Sequence, residues 1–123
     1  MIYLLIALGG AAGAVSRYAV DDTVSRWYGG TFPLGTLVIN VTGSFVLGVL
    51  FALVVERSAL PSDVRAPVMI GFIGAYTTFS TWMLESARLM EGDQWMFAAV
   101  NLGGSVILGL VAVFAGLGMG RVL

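Results

Sequence analysis

The 123-residue sequence contains no cysteine and no histidine. Those two absences remove a disulfide framework, a thiol nucleophile, an imidazole base and the usual zinc shells. Charge is scarce as well: six basic and seven acidic residues make up 11% of the chain and leave a formal net charge of -1. Soluble domains use roughly 25% charged residues to face water, so this share argues against a soluble enzyme. No basic surface exists for counterion release, and no nucleic-acid partner is expected. What is plentiful is apolar, with 59% hydrophobic residues and a mean hydropathy of +0.96. The expected solvent is a lipid bilayer, and the function classes left are transport, signalling or assembly within it.

Crossing hydrocarbon takes about 20 uncharged residues. Four such runs fill most of the chain, residues 2–20, 33–55, 66–84 and 94–120. The sequence therefore predicts an all-α membrane protein, one four-helix transmembrane domain over 1–123, with connections too short to hold a water-soluble domain. The stretch Ile2 to Leu8 followed by Ala12-Gly13-Ala14 superficially resembles a signal peptide. No basic residue precedes it and it leads directly into Arg17 and Tyr18, so a continuing span is the expectation.

Orientation follows the basic residues of short loops. One side of the four-span arrangement holds Arg57, Arg65 and Arg121 and the other Arg17, Arg26 and Arg88, an even split. An unbiased chain is expected to insert both ways, and two opposed copies pack as an inverted pair. Small residues recur at four-residue spacing in Gly9/Gly13, Ser44/Gly48, Ser105/Gly109 and Gly116/Gly120. Such pairs let helices approach closely, which makes a homo-oligomer the expected state, although they serve contacts within one chain equally well.

Polar side chains at membrane depth face a bundle interior or a watery path. Thr36, Asn40, Ser44 and Gly48 share one face of the second span, and Asn101, Ser105 and Gly109 one face of the fourth. Each stripe suits either a narrow polar track or hydrogen bonds between helices. The third span places Gly71, Gly74, Thr77, Thr78, Ser80 and Thr81 in mid-run, poor material for a continuous helix. A break there exposes backbone groups that bind ions without a charged side chain. Phe79 and Trp82 flank the hydroxyls, as ion-facing edges or as ordinary packing. All seven acids fall near span ends or in loops, which disfavours proton-coupled cation exchange. Arg17, near the end of the first span, either draws anions to a vestibule or snorkels to the interface. Amide N–H, hydroxyl and aromatic-edge groups without an acid solvate anions, and a small, strongly hydrated one such as fluoride fits best.

Three segments carry a resemblance: Gly9-Gly10-Ala11-Ala12-Gly13-Ala14-Val15-Ser16-Arg17-Tyr18, Gly35-Thr36-Leu37-Val38-Ile39-Asn40-Val41-Thr42-Gly43-Ser44-Phe45, and Gly71-Phe72-Ile73-Gly74-Ala75-Tyr76-Thr77-Thr78-Phe79-Ser80-Thr81-Trp82. In order and spacing the chain resembles the Fluc, or CrcB, fluoride channels. The resemblance implies an antiparallel, dual-topology homodimer in the cell membrane, with two fluoride pores and a structural sodium ion at the subunit interface. It implies that Asn40 is the pore asparagine, Phe79 the first phenylalanine of an aromatic box and Arg17 the vestibule arginine. Ser80, Asn101 and Ser105 belong with the polar path, and the carbonyls of Gly74 and Thr77 hold sodium. Trp82 stands where the family has a second phenylalanine, retaining an aromatic edge and adding an N–H donor. Gly109 replaces a track hydroxyl. The implied function is passive fluoride efflux that lowers cytoplasmic fluoride and gives resistance. The alternatives are a small four-helix proton-coupled exporter of organic or guanidinium cations and a non-transporting assembly subunit.

Overall fold

The computed structural model describes residues 1–123 and is helical throughout, with short connections. Helix α1 covers Ile2–Tyr28 and α2 Leu34–Glu56. Helix α3 covers residues 62–76, α4 Ser80–Glu91 and α5 Trp95–Val122. Helices α1, α2 and α5 are each long and apolar enough to cross a membrane. The remaining apolar segment is divided between α3 and α4.

Helix α1 runs eight residues past the expected boundary at residue 20. The charges read as a loop are instead accommodated along the helix, where Arg26 pairs with Asp22 at 3.0 Å one turn away. The helix stops where Gly29 takes a left-handed conformation, φ 68°, and returns its N–H to Ser25 C=O, the glycine-assisted end common to helices. At 1.5 Å per residue α1 is about 40 Å long, against about 30 Å of hydrocarbon. Arg17 thus lies inside the helix, roughly 16 Å before its end, and not beside its terminus.

Three helices contain a widened turn with i→i+5 hydrogen bonding, at Phe51–Glu56 in α2, Ala66–Ile73 in α3 and Val100–Gly104 in α5. The one in α3 surrounds Pro67, which has no N–H to give and crowds the preceding turn. Helix α3 ends at Tyr76 because Thr77 is extended, φ -80° and ψ 160°. Three residues later α4 begins.

Glycines set how closely the helices approach. A side chain on Gly9 or Gly13 would strike the carbonyls of Pro67 and Phe72 in α3. One on Gly48 would meet Val113 C=O, and one on Gly116 would meet Phe45 C=O, so α2 and α5 touch backbone to backbone. The pairs Gly9/Gly13 and Gly116/Gly120 therefore serve contacts within the chain. Ser44, Ser105 and Gly109 instead line an open groove. At one end of the bundle Phe32 meets Phe97 edge to face at 5.5 Å. At the other, Arg121 grips Glu56 through two hydrogen bonds of 2.9 and 2.8 Å.

This packing yields a prediction. Gly116→Val forces α2 and α5 apart and destabilises the protein by about 3 kcal/mol or more. Gly118→Ala, where nothing lies within 4 Å of the added carbon, leaves stability equal or slightly higher. Thermal denaturation of the purified variants in detergent measures both.

Candidate functional site

The break between α3 and α4 is the centre of the site. In a continuous helix Thr78 N–H would return to Gly74 C=O. Here it donates to Asn40 Oδ1 at 2.9 Å, while Asn40 Nδ2 donates to Thr78 C=O at 3.0 Å. One carboxamide on α2 thereby replaces both helix bonds of Thr78. Thr81 N–H turns back to Thr78 Oγ1 at 3.3 Å, capping the first turn of α4. The Phe79 N–H and the Thr77 C=O are left with no backbone partner. The first is a free donor at the N-terminal, partly positive end of α4, and the second a free acceptor at the C-terminal end of α3.

These groups border a groove of about 640 Å³ whose walls include Asn40, Thr77, Phe79, Trp82 and Ser105. Phe79 is 69% exposed and meets Trp82 edge to face, with ring centroids 5.7 Å apart and planes at 80°. Ser105 Oγ is buried and has no hydrogen-bond partner. Gly74 also lines the groove, beside Thr77.

A second cavity, about 210 Å³, lies against the same break and is lined by Arg17, Asp21, Thr36, Thr78 and Thr81 among others. Thr78 borders both cavities. The guanidinium side of the site and the aromatic side therefore meet at the residue that Asn40 holds.

Several expectations need correction. Asn101 does not line the groove: its side chain is fully buried, with Nδ2 donating to Ser86 Oγ at 2.9 Å. Trp82 offers no spare donor to the groove, since its indole N–H is given to Asn101 C=O at 2.9 Å. Ser80 is exposed and lines neither cavity. The α2 stripe is largely satisfied internally, because Ser44 Oγ donates to Asn40 C=O at 2.6 Å and Gly48 packs on α5. The site is also not free of acid. Thr36, buried and beside Arg17, donates its hydroxyl to Glu85 of α4.

Sequence reasoning missed Glu85, Thr78 and Ser86. Glu85 sits one residue beyond the expected span, and its partner is 49 residues away, so only the fold joins them. Thr78 gave a usable signal in the run of hydroxyl residues, but nothing said which of them would be held, and Ser86 lies outside that run.

A family model described as "CrcB-like protein, Camphor Resistance (CrcB)" matches residues 4–117. The chain belongs to the CrcB family. Similar CrcB-family proteins named fluoride-specific ion channel FluC occur in Maridesulfovibrio salexigens, 43% identical over 98% of this chain and 96% of that one, and in Magnetococcus marinus, 44% identical over 96% of each. Another so named, from Hahella chejuensis, is 48% identical over 96% of this chain and 93% of its own length. The CrcB match takes in the glycine-rich part of α1, the Asn40 face of α2 and the whole break.

The paired hydrogen bonds between Asn40 and Thr78 generate a prediction. Asn40→Asp keeps an acceptor for Thr78 N–H but deletes the donor for Thr78 C=O and sets a carboxylate against it. An unbonded buried carbonyl costs about 1–3 kcal/mol, so the expected result is a protein destabilised by that amount and unable to pass anions. Thermal denaturation and liposome flux measure the two effects.

Proposed function

We propose that the chain is a passive fluoride channel whose pathway runs from the Arg17 cavity past Thr78 into the groove walled by Phe79 and Trp82. The single observation that carries this reading is the break itself. An interrupted helix held open by a neutral carboxamide presents an unbonded N–H at the start of a helix, between a guanidinium on one side and aromatic edges on the other. A small anion shedding water needs short donors at each step, and a helix N-terminus supplies them without a buried positive charge. The names of the relatives point the same way. No covalent chemistry or energy source is required, and no catalytic constellation is present in the site. An inside-negative potential drives an anion outward, so the channel works as an efflux route at the cell membrane.

Two inverted copies complete the reading. The groove lies open on one side of a single chain and is lined by Phe79, Trp82, Ser105 and Leu110. The face of α5 beyond it is exposed and apolar, with Ile107 64% and Phe114 68% accessible. A second copy seated there would turn the half-open groove into an enclosed path. The even division of arginines supports opposite insertion, and it persists when paired side chains are set aside: Arg26 is bound to Asp22 and Arg121 to Glu56, one from each side.

Sodium fits the same interface. The partnerless Thr77 C=O and the Gly74 C=O, released when Thr78 turns to Asn40, are neutral oxygen donors on the groove wall. Hard cations take such oxygens, and no cluster of acids competes for them. A bound sodium ion would supply positive charge that ties four such carbonyls of two copies together.

Purified protein in liposomes tests the function. Electrogenic fluoride efflux with chloride at background supports the channel; movement of an organic cation coupled to a pH gradient, without fluoride leak, supports the exporter and contradicts it. Phe79→Ile, which removes the polarised edge, lowers fluoride efflux by roughly tenfold or more, equivalent to about 1.4 kcal/mol on the barrier.

A further inference from the structure

Behind the aromatic wall lies a closed cycle of hydrogen bonds that the pathway itself does not use. The indole N–H of Trp82 donates to Asn101 C=O at 2.9 Å. The Asn101 carboxamide donates to Ser86 Oγ at 2.9 Å, and Ser86 Oγ donates to Trp82 C=O at 2.8 Å. The cycle joins α4 to the widened turn of α5, where the Ser105 N–H also reaches Asn101 C=O. Asn101 and Ser86 are 0% and 2% exposed and line neither cavity.

We propose that Ser86 and Asn101 are positioning residues for Trp82, fixing its indole so that the ring stands as the groove wall against Phe79. Packing alone does not explain an asparagine at this place. Its Oδ1 is buried without a partner, a penalty that an apolar residue of similar size would avoid. What the asparagine alone provides is a donor for Ser86, which aims the serine oxygen and its proton at the backbone of Trp82. An indole has two ring torsions and more bulk than a phenyl ring, so leaving it unrestrained beside an ion path lets it swing across the groove. Tying its one polar atom to a backbone carbonyl of the neighbouring helix removes that freedom. Ser86 therefore acts on ion passage through Trp82, at a place no ion reaches.

The proposal rests on the channel reading, and the test separates the two. Ser86→Ala and Asn101→Leu are each reconstituted as the full chain, alongside Ser86→Thr, which keeps the hydroxyl. The readouts are fluoride efflux and deuterium exchange of the Trp82 indole N–H, identified by its loss in Trp82→Phe. The expected result is about tenfold slower efflux and about tenfold faster indole exchange for either disruptive variant, the effect of losing one or two net hydrogen bonds, with Ser86→Thr close to the parent in both. In a Trp82→Phe background Ser86→Ala adds no further slowing. Equal slowing in both backgrounds, or indole exchange unchanged by Ser86→Ala, overturns the proposal as a mere loss of folding contacts. If Ser86→Ala does not purify, Asn101→Leu carries the same comparison. A parent that passes no fluoride overturns the channel reading and the proposal with it, whereas a conducting parent with an unrestrained indole overturns the proposal alone.

Discussion

A bilayer offers no water to an unpaired amide, so any backbone that leaves the helix inside it must find other partners. Thr77, Thr78 and Phe79 leave the helix in this way, and the rest of the molecule is arranged around what they need. Asn40 takes both groups of Thr78. Nothing within the chain takes the Phe79 N–H or the Thr77 C=O. The two orphans differ in sign, one a donor at the start of α4 and the other an acceptor at the end of α3. A single break thus presents one group suited to an anion and one suited to a cation, the two kinds of partner that the proposed fluoride path and the proposed sodium site call for.

The glycines make that arrangement possible at a distance. Gly43 lets α2 come close enough to the break for Asn40 to reach Thr78, since a side chain there would strike Thr77 and Tyr76, while α1 packs on α3 and α2 on α5 backbone to backbone. These contacts consume Gly9, Gly13, Gly48 and Gly116, so the chain is a packed unit before any partner arrives. Three other small residues, Ser44, Ser105 and Gly109, line the groove. Close packing inside and a small-residue groove outside are separate uses of one residue class.

The membrane class and the interrupted third segment were legible in the sequence, because charge is too scarce for water and because glycine and threonine crowd residues 71–82. The length of α1 was not, since Asp22 and Arg26 neutralise each other along the helix and do not end it. The place of Asn101 was not either. Four-residue spacing does put Asn101 and Ser105 on one face, and that face looks into the bundle, where Asn101 is taken up by Ser86 of α4. Ser105, also buried, borders the inner wall of the groove, and Asn101 does not. Trp82 read as a phenylalanine substitute with a spare donor, and the donor is spent on the fourth helix. The misses at Asn101 and Trp82 come from bonds between residues far apart in sequence, and the one in α1 from two charges that neutralise each other one turn apart.

In the proposed dimer a second, inverted copy covers the groove and completes the break. Because the sequence has no cysteine, Val122→Cys gives one spin label per chain, at the end of the helix that borders the groove. The distance between the two labels of a reconstituted dimer is the direct measurement. Inverted copies place the labels on opposite membrane faces and give a single separation of at least about 30 Å, the thickness of the hydrocarbon. A single separation well under that thickness, showing both α5 ends on one face, would contradict inverted packing of the two copies.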